Sequence, residues 1–151
     1  MGQLGESIKR FRRVGIDTNL FVYLMERNRD YFDSVKELFN AVESGKVFAV
    51  SSVLLMTEVL SKPLMDGDKG LADRYMAFIG TFPNLELREV DRRIAFRAAK
   101  LRAKYGLKTP DALFVATAIE EKAEAFVTND IRLRKVDEIE ILVLDDFFDT
   151  L

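Results

Sequence analysis

Five short strand-like runs, RVGID at 13–17, VFAVS at 47–51, LELREV at 85–90, AFVT at 125–128 and IEILVL at 139–144, are separated by stretches with helical character. Strands alternating with helices at these spacings restrict a chain to an α/β fold, with a mostly parallel central sheet of about five strands flanked by helices. After the first run, LFVYLMERN has the density of a buried helix. Over 31–44, YFDSVKELFNAVES puts Phe32, Val35, Leu38, Phe39 and Val42 at helical spacing, with Gly45 as the stop. Further helices are expected from Ser52 to Lys62, where Pro63 ends the segment, over 68–80, and from Asp91 to Tyr105, ended by Gly106. A last helix opens at Thr109-Pro110, with Thr109 as N-cap and Pro110 in the first helical position, and ALFVATAI is its buried body. LELREV alternates apolar and charged residues and suits a sheet edge. In a parallel sheet of this kind ligands gather beyond the carboxyl ends of the strands.

With 151 residues, 48% of them hydrophobic, the chain supports one full core, so residues 1–151 are expected to form a single domain. Residues 1–12 read as a basic N-terminal extension, with Lys9, Arg10 and Arg12, continued by Arg13, as a cluster. There is no cysteine and no histidine, which removes disulfides, thiolate and imidazole zinc sites, cysteine nucleophiles and the Ser-His-Asp triad. Carboxylates become the leading candidates for metal or acid–base chemistry. No run approaches the roughly 18 apolar residues of a membrane span, and the N-terminus lacks a signal-peptide core, so a soluble cytoplasmic protein is expected. The net charge is −2, so nucleic-acid binding has to rest on local clusters of basic residues rather than on overall charge.

Four carboxylates stand out, and each also has an ordinary reading. Asp17 ends the first strand and is followed by Thr18 and Asn19, which suits either an N-cap or a hydrogen-bonded ligand. Glu58 is the only charged residue between Lys46 and Lys62; buried there, it would need a hydrogen bond or a cation. Asp111 lies in the first turn of an otherwise apolar helix, where the macrodipole favours a carboxylate whatever its function. Asp130, in TND after the fourth strand, could simply begin a turn.

Taken together, IDTNLFVYL at 16–24, SSVLLMTEVL at 51–60, LRAKYGLKTPDALFVATAI at 101–119 and AFVTND at 125–130 make the sequence resemble the PIN-domain family, especially the VapC-like toxin nucleases. The resemblance implies a PIN-like three-layer fold and makes Asp17, Glu58, Asp111 and Asp130 an acidic quartet holding one or two Mg²⁺ or Mn²⁺ ions, with Asn19 and Thr128 as supporting polar groups. The implied activity is metal-dependent endoribonucleolytic hydrolysis, which needs no histidine because the cation activates water and stabilises the departing oxygen. Many relatives carry a histidine in the helix after the third acid, whereas Phe114 and its neighbours here are uncharged; that position is not a ligand in the family. VapC-like proteins commonly form homodimers and are inhibited by a small antitoxin. Apolar groups of LFVYLM and of the helix near Leu54 would suit such contacts if exposed, and buried packing explains them equally well.

The stretch 88–108 carries Arg88, Arg92, Arg93, Arg97, Lys100, Arg102, Lys104 and Lys108 against Glu89 and Asp91. It is either a solvated helix face or a track for the RNA backbone ahead of Asp111. Other readings are an RNA-processing or quality-control PIN nuclease, a non-catalytic PIN binding module, and a haloacid-dehalogenase-like phosphohydrolase with Asp17 as nucleophile. The last requires a second Asp two residues on, and Asn19 stands there.

Overall fold

The computed structural model describes residues 3–147; residues 1–2 and 148–151 of the expected domain lie outside the described residues. Its elements are α1 (Gln3–Ile8), β1 (Arg13–Ile16), α2 (Thr18–Met25), α3 (Phe32–Glu43), β2 (Phe48–Ser52), α4 (Leu54–Met65), α5 (Lys69–Thr81), β3 (Leu85–Arg88), α6 (Arg92–Tyr105), α7 (Thr109–Glu120), β4 (Ala125–Thr128) and β5 (Glu140–Val143), with 3-10 turns at Ile131–Lys135 and Leu144–Phe147. The five strands form one parallel sheet in the order β3-β2-β1-β4-β5. LELREV indeed takes an edge, and the apolar β1 and β4 lie inside.

β1 is shared: Val14 pairs with Ala49 of β2 on one side and Ala125 of β4 on the other. The chain runs outward from β1 through β2 to β3 and then returns to β4, so strand order reverses at the β1/β4 boundary. A crevice opens above the carboxyl ends at such a reversal. Right-handed crossovers place the helices of the outward path on one face and those of the return path, α6 and α7, on the other. On the first face Phe21, Phe39, Phe78 and Phe82 interlock, with ring centroids as close as 4.6 Å between Phe78 and Phe82. On the second, α7 packs over β1, β2 and β4. Gly15 makes that approach possible, since a Cβ there would sit 2.6 Å from Ala118 Cβ and 2.9 Å from Phe126 Cδ1.

Three local expectations change. Residues 3–11 are not a loose extension: Leu4, Ile8 and Phe11 are buried in the common core, and α1 packs on α3. Its small apolar face, hidden in the sequence by the neighbouring basic residues, is what docks it. α4 runs through Pro63 to Met65, because the proline falls in the last turn with its ring buried and Asp66 N–H still bonds Lys62 O at 2.9 Å. Lys108, not Thr109, is the cap residue of α7 and has no side-chain cap bond; Pro110 is in the first turn.

Candidate metal centre

Asp17 directly follows β1, and its N–H donates to Val127 O at 3.0 Å, which extends the β1–β4 ladder up to the carboxylate. Its backbone is extended, and Oδ1 caps α2 by accepting from Thr18 N–H at 2.8 Å. Oδ2 accepts from Thr128 Oγ1, at the end of β4, at 2.7 Å. The residue is only 7% exposed. Burial pushes its carboxyl up to about 6; the bonds from Thr128 and Thr18 oppose that, and the charges of Asp111 and Glu58 add to it.

The other three acids are placed by helix starts at the same end of the sheet. α4 directly follows the carboxyl end of β2, and α7 leads back to the start of β4, so the N-termini of both helices lie above the strands' carboxyl ends. Glu58, in the second turn of α4, is exposed, and its Oε1 accepts from Thr18 Oγ1 at 2.5 Å. Asp111 is half-buried in the first turn of α7; burial and the charge of Asp130 raise its carboxyl, while Arg132 and Lys108 lower it. Asp130 caps the turn at Ile131–Lys135 and accepts from Arg132 N–H at 2.9 Å. The Arg132 guanidinium grips the same carboxylate through Nε at 3.0 Å and Nη2 at 2.7 Å, holding it below the usual carboxylate range. Thr128 Oγ1 also accepts from Asp130 N–H at 3.0 Å, so one hydroxyl positions both Asp17 and Asp130.

Mutual electrostatic influence thus runs from Glu58 to Asp17 to Asp111 to Asp130. Among the described residues no three acids lie close enough to enclose a cation. Thr18 and Arg132 instead occupy the two outer members. The donor set nevertheless fits a hard divalent cation: every donor is an oxygen, one carboxylate is buried at electrostatic cost, and Asn19 Oδ1 and Asn129 Oδ1 are buried with no hydrogen-bond partner. One neighbour of the acids, Arg132, is not evident from the sequence. Thr18, expected to cap the helix or to hydrogen-bond a carboxylate, takes Glu58 as its partner, and the signal for Arg132 is the run IRLRK directly after TND.

The basic stretch does not form one track. α6 and α7 pack together, joined by Gly106-Leu107-Lys108, so the start of α6 lies beside the end of α7. Arg97 bonds Glu120 at 2.8 Å and Arg93 approaches it at 3.4 Å, which places both at the far end of α7 from Asp111. Arg92 is exposed at that same far end. Lys100 lies over the Phe96 ring, Arg102 donates to Leu107 O at 3.1 Å, and Lys104 is 3.7 Å from Glu138. Only Lys108 acts on the acids, lowering both Asp111 and Asp130. LFVYLM packs inward, with Leu20 and Phe21 buried and the rest, like Leu54, against the core. The large apolar side chains that are exposed include Leu64, Met65, Met76 and Phe96.

The family model described as PIN domain matches residues 14–139. No curated protein sequence is significantly similar to the chain. Among solved structures it is similar to a toxin-antitoxin complex from Klebsiella pneumoniae, with TM-score 0.66 and 20% identity over 87% of this chain and 97% of that one. It is also similar to VapBC2 from Rickettsia felis bound to a DNA fragment from its promoter, with TM-score 0.62 and 17% identity over 85% and 96%. A third similar structure is VapC20 from Mycobacterium tuberculosis, described as a Sarcin-Ricin loop cleaving toxin, with TM-score 0.61 and 12% identity over 75% and 86%.

Proposed function

Since the chain belongs to the PIN-domain family, we propose that it is a divalent-metal-dependent endoribonuclease and the VapC-like toxin of a type II toxin-antitoxin pair. The observation that carries the reading is the buried Asp17, held at the β1/β4 reversal by Thr128 and under the influence of Asp111 and Glu58. Asp17, Glu58, Asp111 and Asp130 would hold one or two Mg²⁺ or Mn²⁺ ions, which supply an activated water and charge stabilisation for phosphodiester hydrolysis. The protein's own part is positioning. Thr128 aims Asp17 and Asp130 from a buried strand end, Thr18 orients Glu58, and Lys108 offers the RNA backbone a cation next to Asp111.

The toxin assignment is supported by likeness to toxin-antitoxin structures and adds two partners, a second copy of the chain and a small antitoxin protein. Exposed Leu64 and Met65 at the end of α4, with Met76 on α5, supply apolar surface for such contacts. Among the described residues no helix is long and apolar enough to cross a membrane.

The test is cleavage of a mixed RNA panel with Mn²⁺, with Mg²⁺ and with chelator, comparing the natural protein with Asp111→Asn. Cleavage that requires metal and is abolished by the substitution, with the fold intact by circular dichroism, is the expected result. Equal cleavage by the variant would reject the site.

A further inference from the structure

Among the described residues Arg132 is the one basic side chain seen to form a direct bond with a member of the acidic quartet, and its geometry is specific. Its Nε and Nη2 meet the two oxygens of Asp130 at 3.0 and 2.7 Å, the paired arrangement that fits a planar guanidinium to a carboxylate or to a phosphate. The arginine remains 64% exposed while Asp130 is 20% exposed, so the cation covers the carboxylate from the solvent side. Both residues belong to one short turn, Asp130 as its cap and Arg132 two positions on. The arginine also acts on Asp111, so its charge spans both acids on the α7 side of the crevice.

We propose that Arg132 is an internal counter-ion that exchanges partners: it occupies Asp130 until a divalent cation takes that carboxylate, and the released guanidinium then binds a phosphate of the RNA. The inference rests on the metal-dependent ribonuclease reading above. A carboxylate whose charge is matched by a guanidinium that also covers its solvent side is a weaker ligand for a second cation, so metal and Arg132 compete for Asp130. Once displaced, the same fork of donors needs another anion, and the phosphate backbone of a bound strand supplies one with matching geometry. The exposed stem lets the head move without disturbing Leu133, the buried anchor of the turn. Metal loading and RNA binding are thereby linked, which avoids an acidic crevice that repels its own substrate.

The test compares the natural protein with Arg132→Gln and Arg132→Lys. Mn²⁺ affinity is read by titration calorimetry, and binding of a short, cleavage-resistant 2′-O-methyl single-stranded RNA by fluorescence anisotropy in saturating Mn²⁺. Arg132→Gln is expected to bind Mn²⁺ about three- to fivefold more tightly, as expected from losing one exposed competing ion pair. The same variant should bind the RNA more weakly, with a slope of log affinity against log salt reduced by about 1. Arg132→Lys, which keeps the charge but loses the fork, should fall between the two in both measurements. A purely structural role would weaken both, so opposite signs are the signature. Unchanged or weaker Mn²⁺ binding by Arg132→Gln, or unchanged RNA binding, overturns the exchange while leaving the metal site intact. Failure of the natural protein to bind Mn²⁺ at all would remove the metal reading and the exchange with it.

Discussion

Asp17 combines a structural and a chemical demand in one side chain. It caps α2, extends the β1–β4 ladder and is almost fully buried, yet its neighbours include two further carboxylates. Its folded-state pKa of about 6 lies above the ordinary 3.8, so between those values the folded protein holds a proton that the unfolded chain releases. Stability without metal should therefore fall as pH rises from about 4 to about 6, by up to ~3 kcal/mol from this residue. Asp111, also raised, adds to that slope, whereas Asp130, lowered by Arg132, opposes it by losing its stabilising ionisation in acid. Asp17→Asn removes the penalty while keeping an acceptor for Thr18 or Thr128, and is expected to stabilise the metal-free protein at pH 7.5 by about 1–2 kcal/mol, with a flatter pH profile. Urea unfolding across that pH range measures both. A variant less stable than the natural protein at pH 7.5 would mean that the carboxylate's hydrogen bonds outweigh its desolvation.

Elements bring these residues together, and two of them make predictions of their own. Gly15 in β1 sits where α7 presses closest, so Gly15→Ala forces Ala118 or Phe126 to move and should cost about 1–3 kcal/mol. Because β1 ends at Asp17, the same change should weaken Mn²⁺ binding, whereas Gly106→Ala, at the left-handed end of α6, should cost about 1 kcal/mol and leave binding unaltered. Thermal melts with and without Mn²⁺ separate the two. α1 carries the other prediction: Leu4→Ala should destabilise by about 2–4 kcal/mol, where a loose extension would tolerate it, and chemical denaturation distinguishes these outcomes. How much the sequence revealed depended on the kind of signal. Strands and long helices were legible because their apolar periods are strong, and the placement of Asp17 and Asp130 at strand ends followed from that pattern. α1 was hidden because six residues with three buried ones give little periodicity beside the basic residues that follow. The pairing of the basic residues of α6 was not legible for a different reason: a linear run does not show that Glu120 on the next helix engages Arg93 and Arg97. Arg132 went unseen because side-chain pairing inside a short turn depends on backbone geometry that composition does not encode.

At the scale of the molecule, one topological fact organises the rest. The chain reverses its strand order between β1 and β4, and that places the residues after both strands, together with the starts of α4 and α7, at one end of the sheet. Four carboxylates brought there repel one another, Asp17 at the cost of burial, and among the described residues Thr18, Thr128, Arg132 and Lys108 offset the charge. On the proposed reading a divalent cation would relieve what these groups leave uncompensated, so binding should stabilise the fold by linkage. The most direct test is the melting temperature at pH 7.5 as Mn²⁺ is raised to millimolar concentrations, for the natural protein, Asp17→Asn and Asp111→Asn. A saturable rise in the natural protein, absent or strongly reduced in both variants, is the predicted result. No rise at any concentration, or an equal rise in all three proteins, would contradict a metal centre built from these acids.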